Sequence, residues 1–266
     1  MPHPLGLITL LTDFGDHDWF VASMKGVILS INPQATIVDL SHHVPSHAVE
    51  NGAYVLKSCY RSFPVGTVHV AVVDPGVGGT RRPILVRTNQ YYFLAPDNGL
   101  LSHVLAEGQN VEVRILENKQ YGLEPEGRTF DGRDVFAPAA AWLTKQRPVA
   151  SFGRTIADPV VFGIRSPRWE RQVLVGEVVY VDHFGNLITN FGRGHLQELQ
   201  AVTKRPHPSV RIGDYVTAGL VENYGEGSGD SPSALINSNG RLEIFLKEAS
   251  AASQLQVGCG EQVRLS

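Results

Sequence analysis

The sequence predicts an α/β protein, a layered α/β domain followed by a small β domain of sandwich or barrel type. Three observations carry that reading. Through residues 1–158, strand-like apolar runs alternate with polar loops and amphipathic helical stretches, the order of a layered α/β domain. One of those runs, Val68-His69-Val70-Ala71-Val72-Val73, is rich in β-branched residues and stops at Asp74-Pro75-Gly76-Val77-Gly78-Gly79. Such a run reads as a buried strand, and Pro and Gly end it. Beyond Asp158 the texture changes to short strands at regular turn signals, as in a small all-β domain. The expected boundaries are an N-terminal domain over 1–158, a linker over 159–171 holding Pro159 and Pro167, and a C-terminal domain over 172–266.

In chain order, residues 7–12 read as a first strand that ends in Asp13-Phe14-Gly15-Asp16-His17-Asp18. Residues 20–31 put Val21, Met24, Val27, Ile28 and Ile31 on one side of a helix, which Asn32-Pro33 terminates. A strand over 36–40, a helix over 47–58 and the strand over 68–73 follow. Residues 83–87 and 91–95 form two strands around Asn89-Gln90, and Asp97-Asn98-Gly99 turns into a short helix over 100–106. An Ala-rich helix covers 136–143. In the second domain, strands are expected over 172–182, 186–190, 210–212, 215–218, 234–236, 242–246 and 262–265. The Gly-rich stretch 225–232 reads as a mobile or ligand-covering loop.

Composition excludes several classes. At 266 residues with 42% hydrophobic and 18% charged residues, there is ample material for a core. A net charge of -3 offers no electrostatic footprint for nucleic acid or an anionic membrane. No apolar run is long enough to cross a membrane, and the N-terminus lacks the basic and apolar regions of a signal peptide. Cys59 and Cys259 are too far apart in sequence to form a ligand motif. They read as reduced, which fits a cytoplasmic protein.

The chemistry-bearing residues cluster at predicted strand ends. Asp74 sits at a strand's carboxyl end, where open α/β sheets bind ligands, and Arg81 is placed to fold back over it. The loop lacks the Lys-Ser/Thr ending of a phosphate-binding P-loop. Asp13, Asp16, His17 and Asp18 read three ways: ligands for a hard cation, a carboxylate for ribose hydroxyls, or helix caps at Asp16 and Asp18. His42, His43 and His47 match no zinc spacing and read as turn and surface histidines. In Thr129-Phe130-Asp131-Gly132-Arg133-Asp134, Arg133 and Asp134 read as an ion pair at a capped helix start. Asp131 precedes a glycine where backbone can approach a ligand. Asp182-His183-Phe184-Gly185-Asn186 and Asn237-Ser238-Asn239-Gly240 are polar turns. In the first, a Phe between Asp and Asn can also stack on a ring.

In order, Thr12-Asp13-Phe14-Gly15, Asp74-Pro75-Gly76-Val77-Gly78, Ala95-Pro96-Asp97-Asn98-Gly99-Leu100, the Thr129–Asp134 motif and the two polar turns span both domains. Together they resemble the S-adenosylmethionine hydroxide adenosyltransferases, adenosine-forming hydrolases related to fluorinase and chlorinase. The resemblance implies a Rossmann-like N-terminal domain, a β-barrel-like C-terminal domain, and a homotrimer with sites between subunits. It implies S-adenosylmethionine as substrate, adenosine and L-methionine as products, and neither cofactor nor metal. Carried over, Asp13 is the ribose-binding acid, and Asp18 and Asp182 lie near the methionine amino group. Phe184 and Asn186 are the adenine-side pair, Ser238 contacts the methionine carboxylate, and Asn98 belongs to the substrate-binding set. Phe130 and Gly132 line the nucleophile pocket. Asp74 and Arg81 match two members of an Asp-Arg-His triad, and Asp131 stands where the family's His is usual. The halogenases carry Tyr at the position of Asp74, so water is the expected nucleophile. The missing His leaves open a protein that binds S-adenosylmethionine or adenosine without turnover. A metal-dependent hydrolase built on Asp13, Asp16, His17 and His42 is a third reading.

Overall fold

The computed structural model describes residues 3–124, 126–204 and 208–266. The chain divides into a first compact unit ending at Ile164 and a second, Arg165–Ser266.

The first unit is built on β1 (Leu7–Thr12), α1 (Phe20–Ile31), β2 (Thr36–Ser41), α2 (Val49–Cys59), β3 (Val68–Val72), β4 (Pro83–Arg87), β5 (Tyr92–Pro96), α3 (Ser102–Glu107), β6 (Glu112–Ile115), α4 (Ala137–Thr144) and β7 (Thr155–Ile156). These strands form one seven-stranded sheet ordered β2-β1-β3-β5-β4-β6-β7. The β2-β1-β3-β5 half is parallel, and β4, β6 and β7 add antiparallel pairs. Strand residues alternate between the two faces. Val68, Val70 and Val72 pack with Met24 and Ile28 of α1 and the alanines of α4. Ala71 and Val73 pack with Ala53 and Leu56 of α2 and Val104 of α3. Both faces are therefore covered by helices, which is why the strand pattern is nearly continuous hydrophobic rather than alternating.

The second unit contains β8 (Arg168–Glu170), β9 (Val173–Val181), β10 (Leu187–Gly192), α5 (Arg193–Thr203), β11 (Ser209–Ile212), β12 (Tyr215–Ala218), β13 (Ser233–Ile236), β14 (Arg241–Phe245), α6 (Ala251–Leu255) and β15 (Gln262–Leu265). Its eight strands pair antiparallel in the order β12-β11-β15-β9-β10-β14-β13, with β8 also on β9. Strand β9 organises the sheet: residues Leu174 to Glu177 ladder to β15, and Val178 to Val181 to β10. At the change of partner, Gly176 has no room for a Cβ, which would stand 2.3 Å from Asn190 Oδ1.

Several elements differ from the sequence reading. The second unit is not all-β, since α5 and α6 pack Leu196, Leu199 and Ala251 into its core. The expected linker contains β8. Strands β6 and β7 extend the first sheet beyond the expected set. The Ala-rich helix is preceded by a π-helical turn, Gly132–Phe136. Within the 225–232 stretch, Ser228 O accepts from the Lys247 amide at 3.1 Å and Gly225 O from Lys247 Nζ at 3.0 Å. Among the described residues, no helix is long and apolar enough to cross a membrane.

Candidate active site

The parallel half of the first sheet determines where its carboxylates emerge. Asp13 follows β1, Asp74 follows β3 after Val73, and Asp97 follows β5. Strands β1 and β3 are adjacent, with Thr12 opposite Val72, so Asp13 and Asp74 leave the same edge. Helix α1 packs on one face and α2 on the other. The chain thus reverses its winding between β1 and β3, and the crevice outside their carboxyl ends is the switch point where such sheets bind ligands.

Arg81 folds back over Asp74 and reaches Asp131 as well. Its Nε donates to Asp74 Oδ2 at 2.8 Å and Oδ1 at 3.1 Å, and Nη2 bridges Asp74 Oδ2 and Asp131 Oδ2, each at 2.5 Å. The Asp74 side chain is 4% exposed and Asp131 19%. Burial alone would lower the Arg81 pKa. The hydrogen bonds and charges of the two carboxylates outweigh that and raise it.

The loop geometry depends on glycine at one position above all. Gly78 has φ +76°, and a Cβ there would sit 2.5 Å from Arg128 O. That close approach lets the 74–81 loop lie against the segment leading to Asp131. Beside the triad is a cavity of about 120 Å³, lined by Phe14, Phe20, Val72, Asp74, Phe130, Asp131 and Gly132. Phe14, Trp19, Phe20 and Phe130 form an aromatic group, with four edge-to-face pairs at ring-centroid distances of 5.4–5.8 Å and a tilted Trp19–Phe20 pair at 4.8 Å. Gly132 faces this group, and a Cβ would meet Phe130 at 3.1 Å and Met24 Sδ at 3.2 Å.

The acidic cluster after β1 separates by role. Asp13 Oδ2 accepts from the His47 amide at 2.9 Å, fastening the loop after β2 to the end of β1. Asp16 and Asp18 are exposed and cap nothing: the first position before α1 is Trp19, with no side-chain cap. The capping expectation therefore fails for both. Asp16 lies 3.5 Å from His43 Nε2 on the surface. His42, expected at the surface, is instead buried. Its Nδ1 is 2.9 Å from Thr12 Oγ1, and its Nε2 is 3.1 Å from Asp39 Oδ1 but off line for a hydrogen bond. Asp13, Asp16, His17 and His42 thus do not converge. Among the described residues, no group of three or more His, Cys, Asp or Glu is arranged to hold a metal ion. Asn98 spends its amide on backbone, Nδ2 donating to Val73 O at 2.8 Å and Oδ1 accepting from Leu100 N at 3.2 Å. Arg133 and Asp134 form the expected ion pair, at 2.6 Å, at the π-helical turn rather than a capped α-helix start.

In the second unit, Asp182 organises the turn between β9 and β10. Its Oδ1 accepts from the Phe184 and Asn186 amides, both at 2.9 Å, and Oδ2 from Asn186 Nδ2 at 3.0 Å. Gly185, at φ +81°, packs against Ser250, where a Cβ would be 2.0 Å from its Oγ. The result is a Phe184 ring held out in solvent, 73% exposed. Asp182, Phe184 and Asn186 line a pocket of about 800 Å³ with Tyr224, Phe245 and Ser250. Ser238 lies exposed in the Asn237–Gly240 turn, whose Asn237 Nδ2 donates to buried Glu243 at 3.0 Å. Sequence reasoning missed Trp19, Phe20 and Tyr224 as site residues. Two of them are visible only as aromatics flanking an acidic cluster, a weak signal without the fold.

Residues 8–153 match the SAM hydroxide adenosyltransferase N-terminal domain and residues 176–264 the C-terminal domain of the same family. The chain belongs to the SAM hydroxide adenosyltransferase family. Among relatives of this adenosyltransferase family, an (R)-S-adenosyl-L-methionine hydrolase of Salinispora tropica is 32% identical over 99% of this chain and 98% of its own. One of Thermus thermophilus is 33% identical over 97% and 98%. A fluorinase of Actinoplanes sp. is 32% identical over 72% of this chain and 74% of its own. A solved protein of Thermotoga maritima superposes with a TM-score of 0.89 at 34% identity, covering 97% of this chain and 99% of that one.

Proposed function

We propose that this chain hydrolyses S-adenosyl-L-methionine to adenosine and L-methionine by attack of water or hydroxide on C5′. The observation that carries the reading is Arg81 bridging Asp74 and Asp131 beside a cavity of about 120 Å³ at the switch point. A nucleophilic water needs roughly 10–15 Å³, so the space suits it. The O–C5′ bond forms as C5′–S breaks, the electron pair goes to sulfur, and methionine leaves as a neutral thioether. The sulfonium activates its own carbon, so the reaction asks for no cofactor. What the protein supplies is alignment and exclusion of bulk water. Asp74 orients the water and accepts its proton, while Arg81 fixes Asp74 through the paired Nε and Nη2 contacts. Two carboxylates around one guanidinium leave a formal charge of -1, which disfavours entry of any anion, so the nucleophile enters as neutral water and gives up its proton to Asp74 as it attacks.

The remaining assignments belong to the same proposal. Asp13 binds the ribose hydroxyls, and Asp18 and Asp182 the methionine amino group. Phe184 and Asn186 hold adenine, and Ser238 the methionine carboxylate. The second unit is barrel-like, and the protein is a cytoplasmic homotrimer in which each site draws on two subunits. The test is incubation with S-adenosylmethionine in ¹⁸O-labelled water with excess chloride. Adenosine carrying the label, stoichiometric with methionine, is expected. Binding without product, or 5′-chloro-5′-deoxyadenosine as the main product, would overturn the reading.

A further inference from the structure

The loop carrying Asp74 and Arg81 has no strand partner along most of its length, yet both its ends are fastened. The β3–β5 ladder pairs Val68, His69 and Val70 with Tyr92, Phe93 and Leu94 and goes no further. Past it, Val73 O is taken by Asn98 Nδ2 at 2.8 Å, one residue before Asp74. At the other end β4 begins at Pro83, opposite Pro96. Past that pair, the Asp97 amide donates to Arg82 O at 2.8 Å, one residue after Arg81. The Asp97 side chain, 1% exposed, accepts from Arg82 Nε at 2.7 Å and is ion-paired with Nη2 at 2.6 Å, and its Oδ1 accepts from Val160 N at 2.7 Å. Arg82 is held from outside too, donating to Asp158 O at 2.7 Å and Oδ1 at 3.0 Å.

We infer that Asp97 and Asn98, consecutive residues at the end of β5, are positioning residues that clamp both ends of the Asp74–Arg81 loop. The inference rests on the reading of Asp74 and Arg81 as the groups at the nucleophile. Side chains take over where the ladders stop, so a loop with three glycines between Asp74 and Thr80 is anchored on both flanks by one rigid strand. Each anchor lies one residue from a triad member. A shift of either end moves Asp74 against Arg81, and misplacement by about 1 Å costs on the order of 100-fold in rate. Asn98 acts through Val73, and Asp97 through Arg82; neither is among the residues that line the cavity.

The test uses the full chain with Asn98→Ala and, at the partly exposed cation, Arg82→Gln. Hydrogen–deuterium exchange over residues 73–82 is measured with kcat and KM, and each variant is also made in an Asp74→Asn background. Exchange should quicken in that loop, and kcat should fall roughly 10–100-fold with KM nearly unchanged. In the Asp74→Asn background the further loss should shrink to less than about threefold, because groups that act as a unit are not additive. Unchanged exchange, or an equal loss in both backgrounds, would overturn the clamp. A wild-type chain that makes no adenosine would instead defeat the hydrolytic reading, and the clamp would then stand or fall on exchange alone.

Discussion

Asp74 and Asp131 share one guanidinium but not equally. Asp74 takes two nitrogens of Arg81 and is nearly enclosed, whereas Asp131 takes one and is more open. Asp74→Ala is therefore expected to lower kcat by about 10²–10⁴, the span for a general base, and Asp131→Ala by less, in steady-state assays of adenosine release. Asp131→His introduces the residue that the family resemblance implies at this position, and a neutral imidazole nitrogen can still accept from Arg81 Nη2. Turnover should be retained or raised. Loss of turnover with folding and binding intact would mean that Asp131 has a role of its own. The pairing of Asp74 with Arg81 was legible in the sequence because both flank a loop marked by Pro and Gly at a strand end, whereas Asp131 joined them only through the family resemblance. The engagement of Asn98 with Val73 was not legible, since the sequence places an Asn in a turn without saying which distant carbonyl it meets.

Strand β3 carries both the loop and an unusual core residue. His69 is fully buried, stacked on Phe93 at 5.1 Å, with Nδ1 2.7 Å from Thr9 Oγ1 and Nε2 without a hydrogen-bond partner among the described residues. Burial depresses its pKa to about 3. The unfolded state binds a proton near pH 6.5 and the folded state does not until about pH 3, so stability is complete above 6.5 and drains as pH falls between those values. The loss is on the order of 4–5 kcal/mol across that window. Urea melts at pH 7 and pH 4 should converge for His69→Asn and diverge for the wild type. At the loop, Gly78→Ala should leave a folded protein whose kcat drops, because the Cβ both strains a positive φ and meets Arg128 O. An unchanged kcat would show that the loop relaxes freely. Elements such as β3 were legible because buried β-branched runs have few alternatives. Helix α5 was not, with only Leu196 and Leu199 buried among eleven residues. Strand β8 hid in a charged segment expected to be a linker, because an edge strand needs little apolar content to pair.

At the scale of the whole molecule, the candidate residues are divided between the two compact units. Asp13, Asp74, Arg81 and Asp131 belong to the first, and Asp182, Phe184, Asn186 and Ser238 to the second. The proposed homotrimer turns that division into a measurable consequence. Asp74→Asn damages only the first-unit half of a site and Phe184→Ala only the second-unit half. If each site joins the first unit of one subunit to the second unit of its neighbour, mixed trimers contain some sites with both halves intact. In a randomly mixed equimolar population around a closed ring, such a site requires one particular parent at each of two positions, so about one site in four is restored. Co-refolding the two variants should therefore recover roughly a quarter of wild-type activity, from parents that are each nearly inactive. Light scattering on the same samples should give three times the 29.0 kDa chain mass. A fully active monomer, or a trimer whose mixtures recover nothing above the parents, would place all the site residues within one chain and end the shared-site proposal.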